Sequence, residues 1–440
     1  MTGKADMMRA QDKTAQGSET DAASLQEIHG LYDNHCCRSD QTLLYGRPMV
    51  ARRMKGCRVW FCGEREPYID LVCGYSATNL GHCHPRLQAK LVELAGQFDQ
   101  VHSLTSEPAV RLAGRLCGLM GEPDRYRACF TVGGAAAVDM GVRLCRAFSG
   151  RPIVASLAEG FHGHCLGVLP LTDPAFVATE RFAPPACRRL ALPLGDVDGC
   201  RRILSEHRGD VGGVIVEAAQ GAAGFVIPPD GFLASLRELC RELAMLFIAD
   251  EIQVGLGRAG RMLAIEHAGV RDADIVLLGK SLAGGYYPLS AVIARREVFE
   301  RIPAAGSTLG DTFSHSPIGC ALALEVMDIL ERSDVIAQGC TRAAEMLAFL
   351  ESLQKRCPRV ARVWCIGAAL GLEVAGGEPA ATAQRLVLAG LDQHVLLYAV
   401  GPGKNRLKFA PPLTITPGEM AEACGRIARA FQNVLGKQGR

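Results

Sequence analysis

Two short apolar runs near the middle of the chain each end in a single charged residue. Residues 245–249 lead into Asp250, and residues 275–279 lead into Lys280. Runs of this length, bounded by glycine and charge, are typical of strands buried on both faces of a parallel sheet. Ligands of open α/β sheets bind beyond the carboxyl ends of such strands. We therefore predict that Asp250 and Lys280 belong to a ligand site.

Apolar strand patterns alternate with helical patterns from about residue 91 to residue 325. This alternation predicts a mostly parallel sheet covered by helices on both faces. Examples are strands at 128–132, 153–157 and 211–216, and an amphipathic helix at 108–120 with Val110, Leu112, Leu116 and Leu119 roughly on one face.

Shorter patterns near both ends of the chain predict a second, smaller α/β domain. Strands are expected at 58–61 and 68–71, again near 369–373 and 407–410, and a final helix begins near Pro417. The predicted organisation is a disordered or extended tail at 1–39, the first part of the small domain at 40–90, a large domain at 91–325 and the rest of the small domain at 326–440.

Length and charge narrow the range of partners. The 440 residues can form a large core and more than one domain, and a net charge of +2 gives no electrostatic reason to bind nucleic acid or a membrane surface. No apolar run approaches the roughly 20 residues that cross a bilayer. The first 25 residues are polar and of mixed charge, so we expect no signal peptide or anchor and a cytoplasmic protein.

The 18 cysteines are numerous for a chain without secretory features. Many lie within apolar stretches, where a free cysteine behaves as a small hydrophobic residue. The pair at 36–37 and the His-Cys-His run at 82–84 lack the paired spacing of a zinc site. We therefore expect free thiols and no metal.

An aspartate and a lysine at neighbouring strand ends suit the chemistry of pyridoxal 5'-phosphate. The lysine forms a Schiff base with the cofactor, and the carboxylate pairs with the protonated pyridine nitrogen, so that the ring becomes an electron sink. Taken singly, such a lysine is more often a solvated cap and such an aspartate a helix N-cap. The surrounding sequence has to decide between these interpretations.

The sequence around both residues resembles the signature of class III (subgroup II) aminotransferases, with ornithine aminotransferases as the nearest members. The similarity runs from about Tyr45 to the C-terminus and implies a fold-type I enzyme that binds pyridoxal phosphate. Besides the Asp250–Lys280 block, the motifs are the glycine–histidine–proline segment at 75–85, the loop at 133–135, the aromatic–His–Gly segment at 161–163, Thr312-Phe313 and the Pro-Pro-Leu block at 410–413.

The resemblance implies a role for each cofactor residue. Phe161 and Ile252 would cover the two faces of the ring, and Gln253 would reach its hydroxyl. Thr312 would bind the phosphate held by the neighbouring subunit, which implies a homodimer with shared active sites. The positions that match the family's cofactor-binding residues are Gly133, Gly134, Ala135, Phe161, His162, Asp250, Ile252, Gln253, Lys280 and Thr312, of which Asp250 and Lys280 would be catalytic.

The substrate-binding positions depart from the family pattern. Relatives use an arginine to bind the substrate carboxylate and a glutamate to hold that arginine aside, whereas this chain has Lys408 and Ala222. A lysine attracts a carboxylate as a point charge but lacks the planar two-donor fork of arginine. His164 stands where an arginine usually follows the aromatic motif. The candidate substrate-binding residues are Tyr75, His164 and Lys408.

Three functions remain open at this point. The first is an aminotransferase that moves an amino group from an amine or amino acid to a keto acid. The second is an enzyme of the same fold and cofactor that does not transaminate. It would be a decarboxylase, a racemase, a γ-elimination or γ-replacement enzyme, or a carbon–carbon bond-forming enzyme of specialised metabolism, for example one that uses S-adenosylmethionine. The third is a binding protein without catalysis, which the retained cofactor residues disfavour. The first function is favoured because most members of the family that the chain resembles are aminotransferases.

Overall fold

The structure is a computed structural model that describes residues 22–37, 45–46, 48–101, 104–177, 189–302 and 309–436. Helix α1 spans Ala22–His35. The prediction of a disordered or extended tail over residues 1–39 is wrong for this stretch, whose few apolar positions give only a weak helical pattern. Residues 1–21 and 38–39 lie outside the described residues.

The strands and longer helices follow each other along the chain as the alternating pattern predicts. The strands are β1 (Ala51–Lys55), β2 (Arg58–Phe61), β3 (Tyr68–Asp70), β4 (Tyr126–Thr131), β5 (Ile153–Leu157), β6 (Ala191–Leu192), β7 (Val211–Val216), β8 (Leu246–Asp250), β9 (Ile275–Leu278), β10 (Ser290–Arg295), β11 (Val360–Ile366), β12 (Ala369–Val374), β13 (Val395–Leu396), β14 (Tyr398–Val400) and β15 (Arg406–Phe409). The helices after α1 are α2 (Pro85–Ala95), α3 (Glu107–Gly118), α4 (Gly134–Ser149), α5 (Val197–Glu206), α6 (Phe232–Glu242), α7 (Arg296–Glu300), α8 (Pro317–Arg332), α9 (Val335–Arg356), α10 (Pro379–Asp392) and α11 (Pro417–Leu435).

The large sheet has seven strands in the spatial order β4–β10–β9–β8–β7–β5–β6. The five strands β9, β8, β7, β5 and β6 are parallel to one another, whereas β10 is antiparallel to both β4 and β9. This confirms the predicted α/β fold with a mostly parallel seven-stranded sheet.

Alternate residues of the central strands point to opposite faces of this sheet, and both sets are buried. Both faces are therefore covered by other parts of the chain. In β9, Ile275 and Leu277 belong to the apolar cluster that includes α4, whereas Val276 and Leu278 belong to the larger cluster on the other face. On α3, Leu112 and Leu116 are buried as predicted. Val110 is 59% exposed, so its assignment to the same face is wrong. Among the described residues, no helix combines the length and apolarity of a membrane span.

Two smaller sheets use residues from both ends of the chain. One has the order β1–β2–β3–β13, and the other has the order β11–β12–β15–β14. Val395 of β13 pairs in parallel with Ile69 of β3, so a C-terminal strand completes the N-terminal sheet. This bears out a small α/β unit formed by both chain ends. The exact domain boundaries remain a prediction.

The sheet also explains why Asp250 and Lys280 come together. Strands β8 and β9 are adjacent and parallel, with Asp250 paired to Leu277. Gly279 follows β9, and Lys280 begins a short 3-10 helix. Both residues therefore lie beyond the same edge of the sheet, where α/β folds bind ligands.

Candidate active site

Asp250 is held in a fixed orientation at the end of β8. It is buried, and its Oδ2 lies 2.7 Å from Nδ1 of His162. Its Oδ1 accepts a hydrogen bond from the backbone N–H of Ile252 at 3.1 Å. The backbone N–H of His162 donates to Thr172 Oγ1 at 2.9 Å, which anchors the histidine in turn. The predicted cofactor residue His162 is therefore placed behind Asp250 as the group that orients the carboxylate.

Lys280 enters the site from the end of β9 with a left-handed backbone, at φ +45°. Its side chain lines a cavity of about 560 Å³. Burial lowers the pKa of Lys280, and the negative charges of Asp250 and Glu217 oppose that shift. A lysine with a lowered pKa is deprotonated more readily and becomes a better nucleophile and base.

Gln253 presents an unsatisfied polar atom to the same cavity. Its Nε2 is buried and has no hydrogen-bond partner among the described residues. A side chain at Gly221 would place its Cβ 2.2 Å from Gln253 Oε1, so only glycine leaves room for this glutamine. Buried polar groups normally have partners. The free Nε2 therefore fits a ligand oxygen, such as the hydroxyl of a pyridoxal ring.

The loop before α4 forms an open cradle at the positive end of a helix. Gly133 has φ +94°, and no side chain caps the first turn of α4. A Cβ on Gly133 would meet nothing within 4 Å, whereas one on Gly134 would lie 3.1 Å from Ile252 Cγ2. The first backbone N–H groups of a helix are free of internal partners and favour an anion. The predicted loop Gly133, Gly134 and Ala135 thus fits a phosphate group.

Phe161 lines the cavity together with two other aromatic rings. Its ring is edge-on to His164 at a centroid distance of 5.0 Å and to Phe176 at 6.1 Å. The backbone N–H of Phe161 donates to a buried carboxylate, Glu217 Oε1, at 3.1 Å. The flat face of an aromatic side chain at this position can cover a planar cofactor.

The site is a cavity of about 560 Å³ between the large sheet and the C-terminal strands. Lys280 and Lys408 both line it, and no described lining residue is acidic. The volume suits a small-molecule site with few polar anchors. The lining residues are Gly74, Tyr75, Phe161, His164, Phe176, Ala222, Gln253, Lys280, Ala380, Gln384, Tyr398, Ala399, Val400, Gly401, Lys404 and Lys408.

Lys408 is almost completely buried within this wall, with 3% of its surface exposed. Its Nζ donates to the carbonyl of Gly221 at 3.3 Å. The rings of Tyr75, Phe225 and Tyr398 surround it at 5.2, 5.6 and 5.8 Å. Burial is the main cause that lowers the pKa of Lys408 to about 7, with Lys280 and Lys404 acting in the same direction and Glu217 against it.

Tyr398 is a cavity residue that the sequence alone did not single out. It lies on β14 directly opposite Lys408 of β15 in the antiparallel register. Its hydroxyl contacts that of Tyr75, and the two rings meet edge-on at 5.1 Å. Only the pairing of β14 with β15 reveals that Tyr398 lies beside Lys408. Local sequence patterns do not predict which strands pair or in which register.

The segment 221–225, which carries Ala222, is bonded at every carbonyl. Lys408 binds the first carbonyl, and Gly401 N–H donates to Ala222 O at 3.1 Å. Arg406 Nη1 donates to Ala223 O at 3.1 Å. Trp364 Nε1 donates to both Gly224 O and Phe225 O, at 3.0 and 2.9 Å. This segment is therefore rigidly placed beside Lys408, and Ala222 offers a methyl group where the resemblance predicts a glutamate.

Thr312 lies on an exposed segment, and the preceding residue, Asp311, accepts a hydrogen bond from the backbone N–H of Val132 at 3.4 Å. Thr312 itself is exposed, and it is absent from the cavity lining that the structure describes. Its backbone carbonyl accepts a hydrogen bond from Gln100 Nε2, and the neighbouring Phe313 is 52% exposed. Of the predicted cofactor residues, Phe161, Gln253 and Lys280 line the cavity, and the role of Thr312 stays a prediction.

Comparison with known proteins gives a consistent result. The family model described as aminotransferase class-III matches residues 44–431. An acetylornithine aminotransferase from Methanopyrus kandleri is 34% identical over 86% of this chain and 93% of its own length. A mitochondrial ornithine aminotransferase from Oryza sativa subsp. japonica is 30% identical over 88% of this chain and 81% of its own. The crystal structure of ornithine aminotransferase from Toxoplasma gondii ME49 covers 98% of this chain and 99% of its own, with 26% identity and a TM-score of 0.84.

Proposed function

The chain belongs to the class-III aminotransferases, which are pyridoxal-phosphate enzymes, and on that premise we propose that it transfers the amino group of an α-amino acid whose carboxylate binds Lys408. One observation carries this proposal. Lys280 and Lys408 line the same cavity, where no described lining residue is acidic. Lys280 is placed to hold the cofactor aldehyde as a Schiff base until the substrate amine takes its place, and Lys408 is placed to bind an anion.

The residues of this chain fit the cofactor. When bound, pyridoxal phosphate supplies the electron sink of the reaction. Asp250, oriented by His162, would stabilise the positive charge of the ring nitrogen. Gln253 Nε2 would donate to the ring oxygen, and the first turn of α4 would bind the phosphate. These groups are held by the fold before any ligand arrives, so little reorganisation is needed.

Lys280 would also move the proton that transamination requires. Its side chain is partly buried, and its lowered pKa favours the neutral amine. A neutral amine can take a proton from the substrate carbon and return it one step later. The nearby carboxylates of Asp250 and Glu217 stabilise the protonated form in between. The same group would therefore act as base and then as acid.

Lys408 would select substrates that carry a carboxylate next to the reacting carbon. In relatives, the glutamate at the position of Ala222 can neutralise the arginine when a substrate lacks that carboxylate. Here Ala222 offers no such charge, and the segment that carries it is fixed by backbone hydrogen bonds. A substrate that places no carboxylate beside protonated Lys408 forgoes the binding energy of that ion pair. The cavity therefore favours α-amino acids over ω-amines at any pH where Lys408 is charged.

We also propose that the active enzyme is a homodimer in which each site receives Thr312 from the partner. The exposure of Thr312 and Phe313 supports this, because it leaves both side chains accessible to a second subunit. The test mixes Lys280→Ala subunits with Thr312→Ala subunits. A heterodimer should then contain one intact site, and activity should rise above that of both parents. No gain after confirmed subunit exchange would contradict the shared site.

The transamination itself is tested by mixing the purified holoenzyme with single amino acids, without an acceptor. We expect stoichiometric release of the matching 2-oxo acid, together with conversion of the cofactor to its amine form, seen by absorbance. Borohydride reduction followed by peptide mapping should place the cofactor on Lys280. Release of carbon dioxide or a racemised amino acid in place of the oxo acid would contradict the proposal, as would a label on another lysine.

A further inference from the structure

Glu217 is a buried carboxylate that follows β7, and sequence reasoning did not single it out. Only 5% of its surface is exposed. Its Oε1 accepts the backbone N–H of Phe161 at 3.1 Å, and its Oε2 accepts the backbone N–H of Gly221 at 2.9 Å. Each oxygen therefore holds a different segment of the active site.

The two segments serve opposite parts of the cavity. Phe161 belongs to the part that would cover the cofactor ring. Gly221 belongs to the part that would bind substrate, because its carbonyl accepts the Nζ of Lys408 at 3.3 Å. Gly221 also leaves the space that Gln253 occupies. A shift of this one glycine would therefore disturb Lys408 and Gln253 together.

We propose that Glu217 is a positioning residue that locks the Phe161 segment to the Gly221–Lys408 segment, so that cofactor and substrate groups keep one relative geometry. The inference rests on the proposed function of Lys408 as the carboxylate-binding residue. A carboxylate is suited to this task because its two oxygens accept from two separate N–H groups at once. An amide has a single acceptor oxygen and would lose one of the two links.

Charge supports the same assignment. The charges of His162 and Asp250 affect the pKa of Glu217. The charge of Glu217 in turn raises the pKa values of Lys280 and Lys408. Burial raises the pKa of Glu217, whereas His162 and the two N–H donors lower it. Its negative charge favours the protonated form of Lys408. Loss of that charge should therefore weaken carboxylate binding and move its pH dependence towards lower pH.

The test uses the holoenzyme and pentanoate, an unreactive carboxylate whose binding is followed by the cofactor absorbance between pH 5.5 and 9. Glu217→Gln should raise the dissociation constant roughly tenfold at pH 7, the loss expected when one hydrogen bond to a charged group is weakened. The pH midpoint of binding should also move to lower pH. The visible circular dichroism of the bound cofactor should change, because the Phe161 segment is released.

Two variants serve as controls. Glu251 is another buried carboxylate that accepts two backbone N–H groups, from Ala264 and Ile265, both at 2.7 Å. Glu251→Gln should lower thermal stability without moving the pH midpoint for pentanoate. Lys408→Gln should abolish the pH dependence and most of the binding.

The outcomes separate this inference from the proposed function. If Lys408→Gln loses pentanoate while Glu217→Gln keeps wild-type affinity and midpoint, the role of Glu217 is refuted and that of Lys408 stands. If Glu217→Gln and Glu251→Gln change the pentanoate dissociation constant and its pH midpoint equally, Glu217 is only a structural residue and the inference is refuted. Wild-type binding by Lys408→Gln would overturn both claims. If Glu217→Gln does not fold, Glu217→Asp replaces it, with weaker binding expected because the shorter side chain cannot reach both N–H groups.

Discussion

The two sides of the cavity differ in how far they keep the pattern of their family. On the cofactor side, Asp250, Gln253 and Lys280 match the family, and the histidine of the aromatic motif binds Asp250 directly. On the substrate side, Lys408 and Ala222 stand where the resemblance predicts an arginine and a glutamate. All members bind the same cofactor and need the same groups to hold it, whereas their substrates differ and so do the residues that bind them.

The difference also appears in the kind of interaction on each side. The cofactor side uses directed hydrogen bonds and a helix terminus, which fix a rigid ligand in one orientation. The substrate side surrounds Lys408 with aromatic rings and gives it a single hydrogen-bonded carbonyl. Such an ammonium group keeps donors free for an arriving carboxylate. The cofactor side thus offers several fixed donors to its ligand, whereas the substrate side offers one ammonium group.

The largest effect should come from the cofactor side. Lys280→Ala removes the amine that reacts and moves the proton, so we expect a loss in kcat on the order of 10⁴-fold or more. Lys90→Ala, a surface change on α2 where Lys90 pairs with Glu93, is a matched control that should keep full activity. Steady-state rates with the best amino acid measure both. Activity of Lys280→Ala within tenfold of wild type would contradict the assignment.

A smaller loss is expected from Asp250→Asn. The amide keeps the shape but cannot stabilise the charge on the ring nitrogen, and a missing contribution of about 3 kcal/mol costs roughly a hundredfold in rate. The measurement is kcat, with far-ultraviolet circular dichroism to confirm the fold. Near-normal turnover of a folded Asp250→Asn enzyme would rule out this role.

On the substrate side, the pH dependence should distinguish lysine from arginine. Because the pKa of Lys408 is lowered to about 7, the side chain is charged below that pH and neutral above it. The value of kcat/KM for an α-amino acid should therefore fall about tenfold per pH unit above the midpoint, a profile that reports the free enzyme. Lys408→Arg should remove this fall, since arginine stays charged. Identical profiles for both enzymes would show that another group causes the pH dependence.

The smallest expected effect concerns the missing glutamate. Ala222→Glu would place a negative charge near Lys408 and compete with the substrate carboxylate. We expect KM for α-amino acids to rise roughly three- to tenfold, the scale of a partly screened ion pair. Ala222→Gln is the neutral control of similar size. Equal KM values for the two variants would assign the effect to volume and not to charge.

The sequence predicted the cofactor side better because its residues follow local signals. Asp250 and Lys280 each end an apolar run, and the glycine loop opens a helix, so the sheet brings them to one edge. Tyr398, Glu217 and the indole of Trp364 were missed because their contacts depend on strand pairing and loop packing between distant parts of the chain. The resemblance located Lys408, but only the structure shows the aromatic rings around it.

Lys408 makes the enzyme select substrates that carry a carboxylate beside the reacting amine. The most direct test compares two isomers, 2-aminopentanoate and 5-aminopentanoate, in the first half-reaction at pH 6 and pH 9. At pH 6 kcat/KM should be roughly 10- to 100-fold higher for the 2-amino isomer. This ratio corresponds to the free energy of one hydrogen bond to a charged group. The ratio should shrink at pH 9, where Lys408 is neutral. Equal or faster reaction of the 5-amino isomer at pH 6 would contradict the account.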